Sequence, residues 1–220
     1  MTADLTHIDT WLFDLDNTLY PEESGFMRQV EGRMTDFVAK VTDLPRDQAY
    51  VLQKKYLAEH GLTLRGLMLN HGVDPADFHA LFHDLSLELL AQDPDLVSAL
   101  AQLPGRRFIF TNADDRHAER VLAHLGLADL FDDVFHIHSF GFTPKPDPLG
   151  FQRMLDAHGL DPRATTFFED SERNLKPAFD LGMTTVLVGP QAQHSTAPFV
   201  NHRTTKLTPF LTGARLKEAA

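Results

Sequence analysis

Short runs of consecutive apolar residues alternate along much of the chain with segments in which apolar residues recur every three or four positions. Runs of the first kind are typical of strands buried on both faces of a sheet, and the second spacing is typical of helices. The alternation predicts an α/β fold with a parallel sheet and right-handed crossovers. The predicted strands are residues 9–14, 108–110, 134–137, 166–168 and 185–188, the helices between them are 115–125, 151–158 and 174–181, and a last strand or helix is expected near 208–214.

A nearly continuous helical segment, from residue 21 to about residue 100, separates the first predicted strand from the second. Asp74-Pro75 and Asp93-Pro94 suit the beginnings of two of its helices, because aspartate caps a helix and proline fits the first turn. The first strand needs the later strands to complete its sheet. We therefore expect residues 20–96 to be a helical cap inserted into a core of residues 1–19 and 97–220, at the sheet edge where a lid over an active site would lie.

Two aspartates, Asp14 and Asp16, stand at the end of the first apolar run. An unpaired carboxylate is costly to bury, so these residues do not belong inside a buried strand. In open α/β sheets, however, ligands bind at the carboxyl ends of the strands. The pair therefore marks a candidate active site, and the two carboxylates favour a divalent cation there.

Polar residues also stand at the later strand ends, which share one edge of a parallel sheet with the two aspartates. Several carboxylates at one edge repel one another unless a cation lies among them, and oxygen ligands favour magnesium. A hydroxyl, a backbone amide and an ammonium group suit the oxygens of a phosphoryl group. The phosphoryl-binding candidates are Thr111, Asn112 and Lys145, and the further carboxylates are Glu169 and Asp170.

The paired aspartates offer a route for phosphoryl transfer. One carboxylate can attack phosphorus and form an aspartyl-phosphate. A second can protonate the leaving alkoxide and later deprotonate a water molecule. Asp16 suits this second task, because it lies two residues beyond Asp14 and after a bend.

Composition narrows the classes of partner. The formal charge of -11, from 31 acidic and 20 basic residues, argues against binding of DNA or RNA and leaves room for a small phosphomonoester. The absence of cysteine excludes disulfides and thiol catalysis. No basic, apolar leader and no membrane-length apolar run is visible, so we expect a soluble cytoplasmic protein, a monomer or homodimer, without a membrane partner.

Histidines are numerous but scattered, and one pair stands out. His136 and His138 form an H-x-H pattern near the end of a predicted strand. Alternate residues around a strand end give this pattern without any ligand. We prefer that interpretation of the pair to a metal site.

The polar strand ends resemble the four motifs of the haloacid dehalogenase-like hydrolase superfamily. The resemblance extends from about residue 8 to residue 188 and implies a Rossmann-like α/β core with a type-one helical cap. The matching residues are Asp14-x-Asp16-x-Thr18 for the first motif, Thr111 for the second, Lys145 for the third and Glu169-Asp170 for the fourth.

The resemblance also implies a role for each of these residues. Asp14 would be the nucleophile and Asp16 the general acid and base. Thr111 and Lys145 would hold the phosphoryl group. The ligands of Mg²⁺ would be the Asp14 side chain, the Asp16 backbone carbonyl and the Asp170 side chain, with Glu169 binding directly or through water.

Within the superfamily, the chain most resembles the pyrimidine 5'-nucleotidases. The similar segments are residues 13–20, 56–67, 110–113 with His117-Ala118 beyond it, and 168–171 with Asn174. This similarity implies hydrolysis of nucleotides such as UMP or CMP. Arg65, in the second segment, is a candidate for contacting substrate from the cap, although a surface or salt-bridging arginine fits the pattern as well.

Other activities of the same superfamily compete with this interpretation. A phosphatase for phosphoglycolate or a sugar phosphate, or a mutase of the β-phosphoglucomutase type, would share the same motifs. The presence of Asp16 argues against a carbon–halogen hydrolase, since dehalogenation has no phosphate ester to protonate. An intact catalytic set argues against a non-catalytic interaction protein.

Overall fold

A computed structural model of the chain describes residues 2–217. Six strands form a single parallel sheet in the order β3-β2-β1-β4-β5-β6. The first strand therefore lies near the middle, between the second and the fourth. The strands are Thr10–Phe13 (β1), Arg106–Phe110 (β2), Asp133–Phe135 (β3), Thr165–Glu169 (β4), Thr184–Val188 (β5) and His202–Thr204 (β6).

Phenylalanine side chains fill both faces of this sheet. Phe167 and Phe168 are neighbours in β4, so their side chains point to opposite faces. Phe168 stacks on Phe13 with ring centroids 4.7 Å apart, and Phe167 lies 5.8 Å from both Phe110 and Phe151. All five rings are buried, and the carboxylates of Asp14 and Glu169 come only where β1 and β4 end.

Helices and 3-10 turns together make up most of the described residues outside the strands. None of those described between residues 2 and 217 is both long and apolar enough to cross a membrane. The helices are Phe26–Thr42 (α1), Arg46–His60 (α2), Thr63–His71 (α3), Pro75–His79 (α4), Pro94–Ala101 (α5), Asp115–Leu125 (α6), Pro148–His158 (α7), Glu172–Asp180 (α8) and Leu207–Gly213 (α9), with 3-10 turns at Glu22–Ser24, Ala80–Phe82, Ala128–Leu130, Pro162–Ala164 and Pro190–His194.

The predicted α/β fold with a parallel sheet is confirmed. Each predicted strand overlaps an observed one, and the predicted helix over residues 115–125 has the bounds of α6. The uncertain segment near residues 208–214 is helix α9. The edge strand β6 was not predicted, because its three residues, His202-Arg203-Thr204, carry no apolar signal.

The predicted near-continuity of helix from residue 21 to residue 100 is wrong in one region. Helix α4 ends at His79, a single 3-10 turn follows, and residues 83–93 are not helical. Leu85 and Leu90 are nevertheless buried, so the apolar residues of this region pack into the protein without forming a helix. The two predicted caps are confirmed, since Asp74 accepts a hydrogen bond from the Ala76 amide and Asp93 from the Leu96 amide.

The chain divides into two compact units. Ser24–Leu89 forms a helical unit with α1–α4, and the chain up to Glu23 and from Leu90 onward forms the unit that contains the sheet. Within the helical unit, the buried Thr35 hydroxyl donates to Gln53 Oε1 at 2.6 Å and joins α1 to α2. The domain limits at residues 20 and 96 stay predictions.

Candidate active site

A buried lysine joins the carboxylates at the ends of β1 and β4. The Lys145 side chain is 1% exposed, and its Nζ donates to Asp14 Oδ1 at 2.6 Å and to Glu169 Oε2 at 2.8 Å. A third bond reaches the carbonyl oxygen of Phe110 at 2.7 Å, at the end of β2. These three bonds use all the donors of an ammonium group. Three strands that are neighbours in the sheet are thus joined at one point.

The backbone of Lys145 is itself fixed by a side chain from the end of β2. Asn112 Oδ1 accepts from the Lys145 amide at 2.9 Å, and Asn112 Nδ2 donates to the Lys145 carbonyl at 3.2 Å. Thr111 is buried, and its hydroxyl accepts from the Ala113 amide at 3.0 Å. The amide side chain of Asn112 therefore positions Lys145, a task that the sequence did not indicate.

Charge keeps Lys145 protonated. Burial favours the neutral amine, but the carboxylates of Asp14 and Glu169 outweigh it and raise the pKa of Lys145 above its usual value. Burial, the charge of Glu169 and the charge of Asp16 raise the pKa of Asp14 to about 7, although Lys145 opposes the change. One ammonium group therefore does not neutralise all of the carboxylates around it.

Asp16 lies in a separate set of hydrogen bonds. Its Oδ1 accepts from the Tyr20 hydroxyl at 2.6 Å and is 2.9 Å from His117 Nε2, on helix α6. Burial would raise the pKa of Asp16, but His117 and Tyr20 outweigh it and lower this pKa. Burial would likewise lower the pKa of His117, but the charge of Asp16 raises it. These directions favour an ion pair between the Asp16 carboxylate and a protonated His117 ring.

The residue that directly follows Asp16 bends the chain. Asn17 has a left-handed backbone with φ of 62°, a conformation that asparagine tolerates better than most residues. Its Nδ2 donates to Asp170 Oδ2 at 3.3 Å. Asn17 therefore joins the loop that follows β1 to Asp170, the residue that follows β4.

Three carboxylates offer oxygen atoms close enough to share a cation. One oxygen each from Asp14, Glu169 and Asp170 lies within 4.8 Å of the others. Burial, then the charges of Glu169 and Asp14, raise the pKa of Asp170 to about 9. The Oδ1 of Asn17 beside them is buried without a hydrogen-bond partner among the described residues. An oxygen-rich, electron-rich donor set of this kind fits Mg²⁺.

Most of the residues predicted for the site come together in the structure. Lys145 contacts both Asp14 and Glu169. Asp16 contacts His117, and Asp170 accepts a hydrogen bond from Asn17. Arg65 lies on α3 in the helical unit, where its side chain is exposed, and its role stays a prediction.

Three participants were missed by sequence reasoning. His117, Tyr20 and Asn17 were given no function, although all three belong to the segments that carry the family resemblance. Tyr20 lies four residues after Asp16, and a hydroxyl at that distance was the available signal. The resemblance included His117, but nothing in the sequence indicated its contact with Asp16, because the two residues are 101 positions apart.

Comparisons with known proteins identify the family to which the chain is similar. A model of the haloacid dehalogenase-like hydrolase family matches residues 8–182. Phosphate metabolism protein 8 of Saccharomyces cerevisiae is 31% identical over 193 residues, which cover 80% of this chain and 60% of that protein. GMP/IMP nucleotidase YrfG of Escherichia coli is 26% identical over 183 residues, which cover 80% of each chain. The chain thus spans only about 60% of the length of the yeast relative.

Solved structures share the fold at low sequence identity. A HAD phosphatase from Thermococcus onnurineus superposes with a TM-score of 0.66 at 18% identity, over 94% of this chain and 100% of that one. YfnB from Bacillus subtilis, solved with bound magnesium, superposes with a TM-score of 0.58 at 18% identity, over 90% and 95% of the two chains.

Proposed function

Because the chain belongs to the haloacid dehalogenase-like hydrolase family, we propose that it is a magnesium-dependent phosphomonoesterase that works through an aspartyl-phosphate on Asp14. The contact between Asp14 and Lys145 is the single observation that carries this proposal. A buried carboxylate that is bonded through Oδ1 to a fixed ammonium group is held in one orientation. An oriented carboxylate at the carboxyl end of a strand is a suitable nucleophile.

The first half of the proposed reaction transfers the phosphoryl group. A carboxylate oxygen of Asp14 attacks phosphorus as the bond from phosphorus to the ester oxygen breaks. Asp16 gives the leaving oxygen a proton, which the ion pair with His117 supplies, since that pair holds one proton between Oδ1 and Nε2. The alcohol then leaves and Asp14 carries the phosphoryl group.

The second half returns the enzyme to its starting state. Asp16 accepts a proton from a water molecule, and the water oxygen attacks phosphorus. The bond from phosphorus to Asp14 breaks, which releases phosphate and restores the carboxylate. Lys145 remains bonded to Asp14 Oδ1 and limits the charge that accumulates at this carboxylate.

The residues present fit a magnesium ion in this reaction. We propose that the side chains of Asp14 and Asp170 and the backbone carbonyl of Asp16 would hold it. Glu169, whose two oxygens accept from Lys145 and the Ser171 amide, would bind it directly or through water. The ion would supply positive charge near the phosphoryl oxygens.

Phosphate release by Asp14 variants tests the mechanism. With magnesium present, Asp14→Asn is expected to lose essentially all turnover, while Asp156→Asn, an exposed carboxylate on α7, keeps it. Trapping of a phosphorylated Asp14 by acid quenching and peptide mass spectrometry is the direct observation. Full activity of Asp14→Asn would overturn the assignment of the nucleophile.

The substrate that we propose is a nucleoside 5'-monophosphate with a pyrimidine base. The similarity of residues 56–67 to pyrimidine 5'-nucleotidases supports a pyrimidine base in the substrate. A curated relative that is named as a nucleotidase supports nucleotides as the class of substrate. That relative is named for GMP and IMP, so purine nucleotides are the second candidate. Phosphate release from UMP, CMP, GMP, IMP, phosphoglycolate and sugar phosphates, without a bisphosphate activator, separates these substrates and also separates a hydrolase from a mutase.

Arg65 offers a test of substrate contact from the helical unit. Arg65→Ala is expected to raise KM for nucleotides by about tenfold or more, because the arginine side chain would contact the nucleotide. The same variant is expected to keep kcat for p-nitrophenyl phosphate, which has no nucleoside for Arg65 to contact. Lys55→Ala is a matched control, since Lys55 is also exposed and basic and makes only a weak pair with Glu59 at 3.9 Å. Equal KM values in the wild type and the Arg65 variant would remove Arg65 from the site.

A further inference from the structure

Two histidines and an aspartate of the sheet unit form a cluster that the proposed reaction does not use. Asp115 is the first residue of α6, His136 directly follows β3, and His138 lies two residues further on. One possible metal-binding atom from each lies within 4.8 Å of the others. The fold therefore places the carboxylate of Asp115 beside the H-x-H pair, for which the sequence had indicated no third ligand.

One distance within this cluster is close to the distance between neighbouring donor atoms around a bound zinc ion. Ligand bonds of about 2.0–2.2 Å in a tetrahedral site place neighbouring donor atoms roughly 3.3 Å apart. His138 Nδ1 lies 3.5 Å from Asp115 Oδ1. The ring centroids of His136 and His138 are 5.5 Å apart, and the ring planes are inclined by 84°.

The histidine nearest the interior is suited to bind a metal. This residue is His136, which directly follows β3. Its Nδ1 is buried and has no hydrogen-bond partner among residues 2–217. A buried polar atom without a partner is costly, so the ring has unused binding capacity.

We propose that Asp115, His136 and His138 form a binding site for a divalent transition-metal ion of the zinc type. Two imidazole nitrogens and one carboxylate favour such an ion over magnesium, which prefers oxygen ligands. Asp115 and His138 are exposed, so an ion can reach the site from solvent and keep water in its remaining positions. A bound ion would tie the beginning of α6 to the segment that follows β3.

Metal titration in excess magnesium tests this site. The wild-type protein, stripped of metal and then supplied with Mg²⁺, is titrated with Zn²⁺ by calorimetry and with Co²⁺ by visible absorption. We expect one class of zinc sites that magnesium does not displace. His138→Ala and His136→Gln are each expected to weaken zinc binding by more than about tenfold, since even partners outside the ligand set change affinity by 10–100-fold.

Controls separate this site from others. His194→Ala removes an exposed histidine elsewhere and is expected to leave zinc binding unchanged. Circular dichroism shows whether each variant folds, and phosphate release in magnesium is expected to be unchanged in His138→Ala. Equal zinc affinity in the wild type and His138→Ala, or no zinc binding in excess magnesium, would overturn the proposal. Because the readout is metal binding, its failure is distinct from a failure of the proposed phosphatase activity.

Discussion

At the scale of single residues, Lys145 matters most because it is buried between charges. Its ammonium group joins Asp14 and Glu169, and Asn112 fixes its backbone. Removing one member of a buried ion pair leaves the other charge without compensation, which is strongly destabilising. The geometry of Asp14 therefore depends on a residue 131 positions away.

The Lys145→Ala variant is expected to lose activity and to lower the free energy of unfolding by about 3–5 kcal/mol. The reason is that Asp14 and Glu169 remain buried without the lysine. Denaturant unfolding measures the change. Lys176→Ala is the matched control, because Lys176 pairs with Asp180 on the surface, and exposed pairs contribute only about 0–1 kcal/mol. Equal stability in both variants would contradict the role given to Lys145.

The pair of Asp16 and His117 predicts a pH dependence. The pKa of His117 is raised above 6.5, so its contribution to stability is complete below pH 6.5 and is lost as the pH rises through its folded pKa. The pKa of Asp16 is lowered below 3.8, so its contribution is present above pH 3.8 and is lost as the pH falls through its folded pKa. The pair therefore stabilises the protein most between these two values.

Urea unfolding of the wild type and His117→Gln across this pH range checks the pair. The difference in unfolding free energy is expected to be largest near pH 5 to 6 and to shrink at higher pH. The same variant is expected to lower kcat by about 100-fold, a typical effect of losing acid–base assistance. A stability difference that does not vary with pH would argue against the ion pair.

At the scale of elements, the first turn of α6 carries His117 to Asp16. Asp114 is the N-cap of this helix, and its Oδ1 accepts from the His117 amide at 2.9 Å. The same turn carries Asp115 of the candidate zinc site. The beginning of α6 therefore positions residues of two sites.

Asp114→Ala is expected to lower the free energy of unfolding by about 1 kcal/mol, as for other lost helix caps, and also to lower kcat. Turnover falls because His117 loses its fixed backbone. Asp93→Ala, which removes the cap of α5, is expected to cost similar stability without the loss of kcat. Thermal unfolding and phosphate release measure the two quantities, and identical kcat losses in both variants would count against positioning by α6.

At the scale of the whole molecule, the folded chain concentrates carboxylates where β1 and β4 end. The pKa of Asp14 is raised to about 7 and that of Asp170 to about 9, both from 3.8. Their stabilising effect on the fold is complete below pH 3.8 and is lost as the pH rises through these folded values. A protein without metal is therefore expected to lose stability from this cluster in mildly alkaline solution.

Magnesium is expected to raise Tm more at pH 8.5 than at pH 5.5, because the ion must displace protons from these carboxylates at the lower pH. Differential scanning fluorimetry with and without EDTA measures the increments. Asp170→Asn is expected to remove most of the increment, and EDTA to abolish turnover. An increment that is independent of pH, or undiminished turnover in EDTA, would contradict the proposed metal site.

The sequence by itself determined the elements and the kinds of chemical group at the strand ends. Strand β1 is recognisable from local composition, because every position in it is apolar or small enough to bury, and β4 is recognisable from the apolar pair that precedes Glu169. Helix α6 is recognisable from its apolar spacing and from the glycine that follows it. These signals come from residues that are close together in the chain, and a single sequence reports such local patterns directly.

Only the tertiary structure decided which of these groups meet. The strand order β3-β2-β1-β4 brings Lys145 to Asp14, His117 to Asp16 and Asp115 to His136. The polar edge strand β6 is likewise formed by pairing with β5 rather than by its own composition. The physical reason is that an ion pair or a strand pairing depends on two distant segments, and the energy of each appears only when the fold joins them.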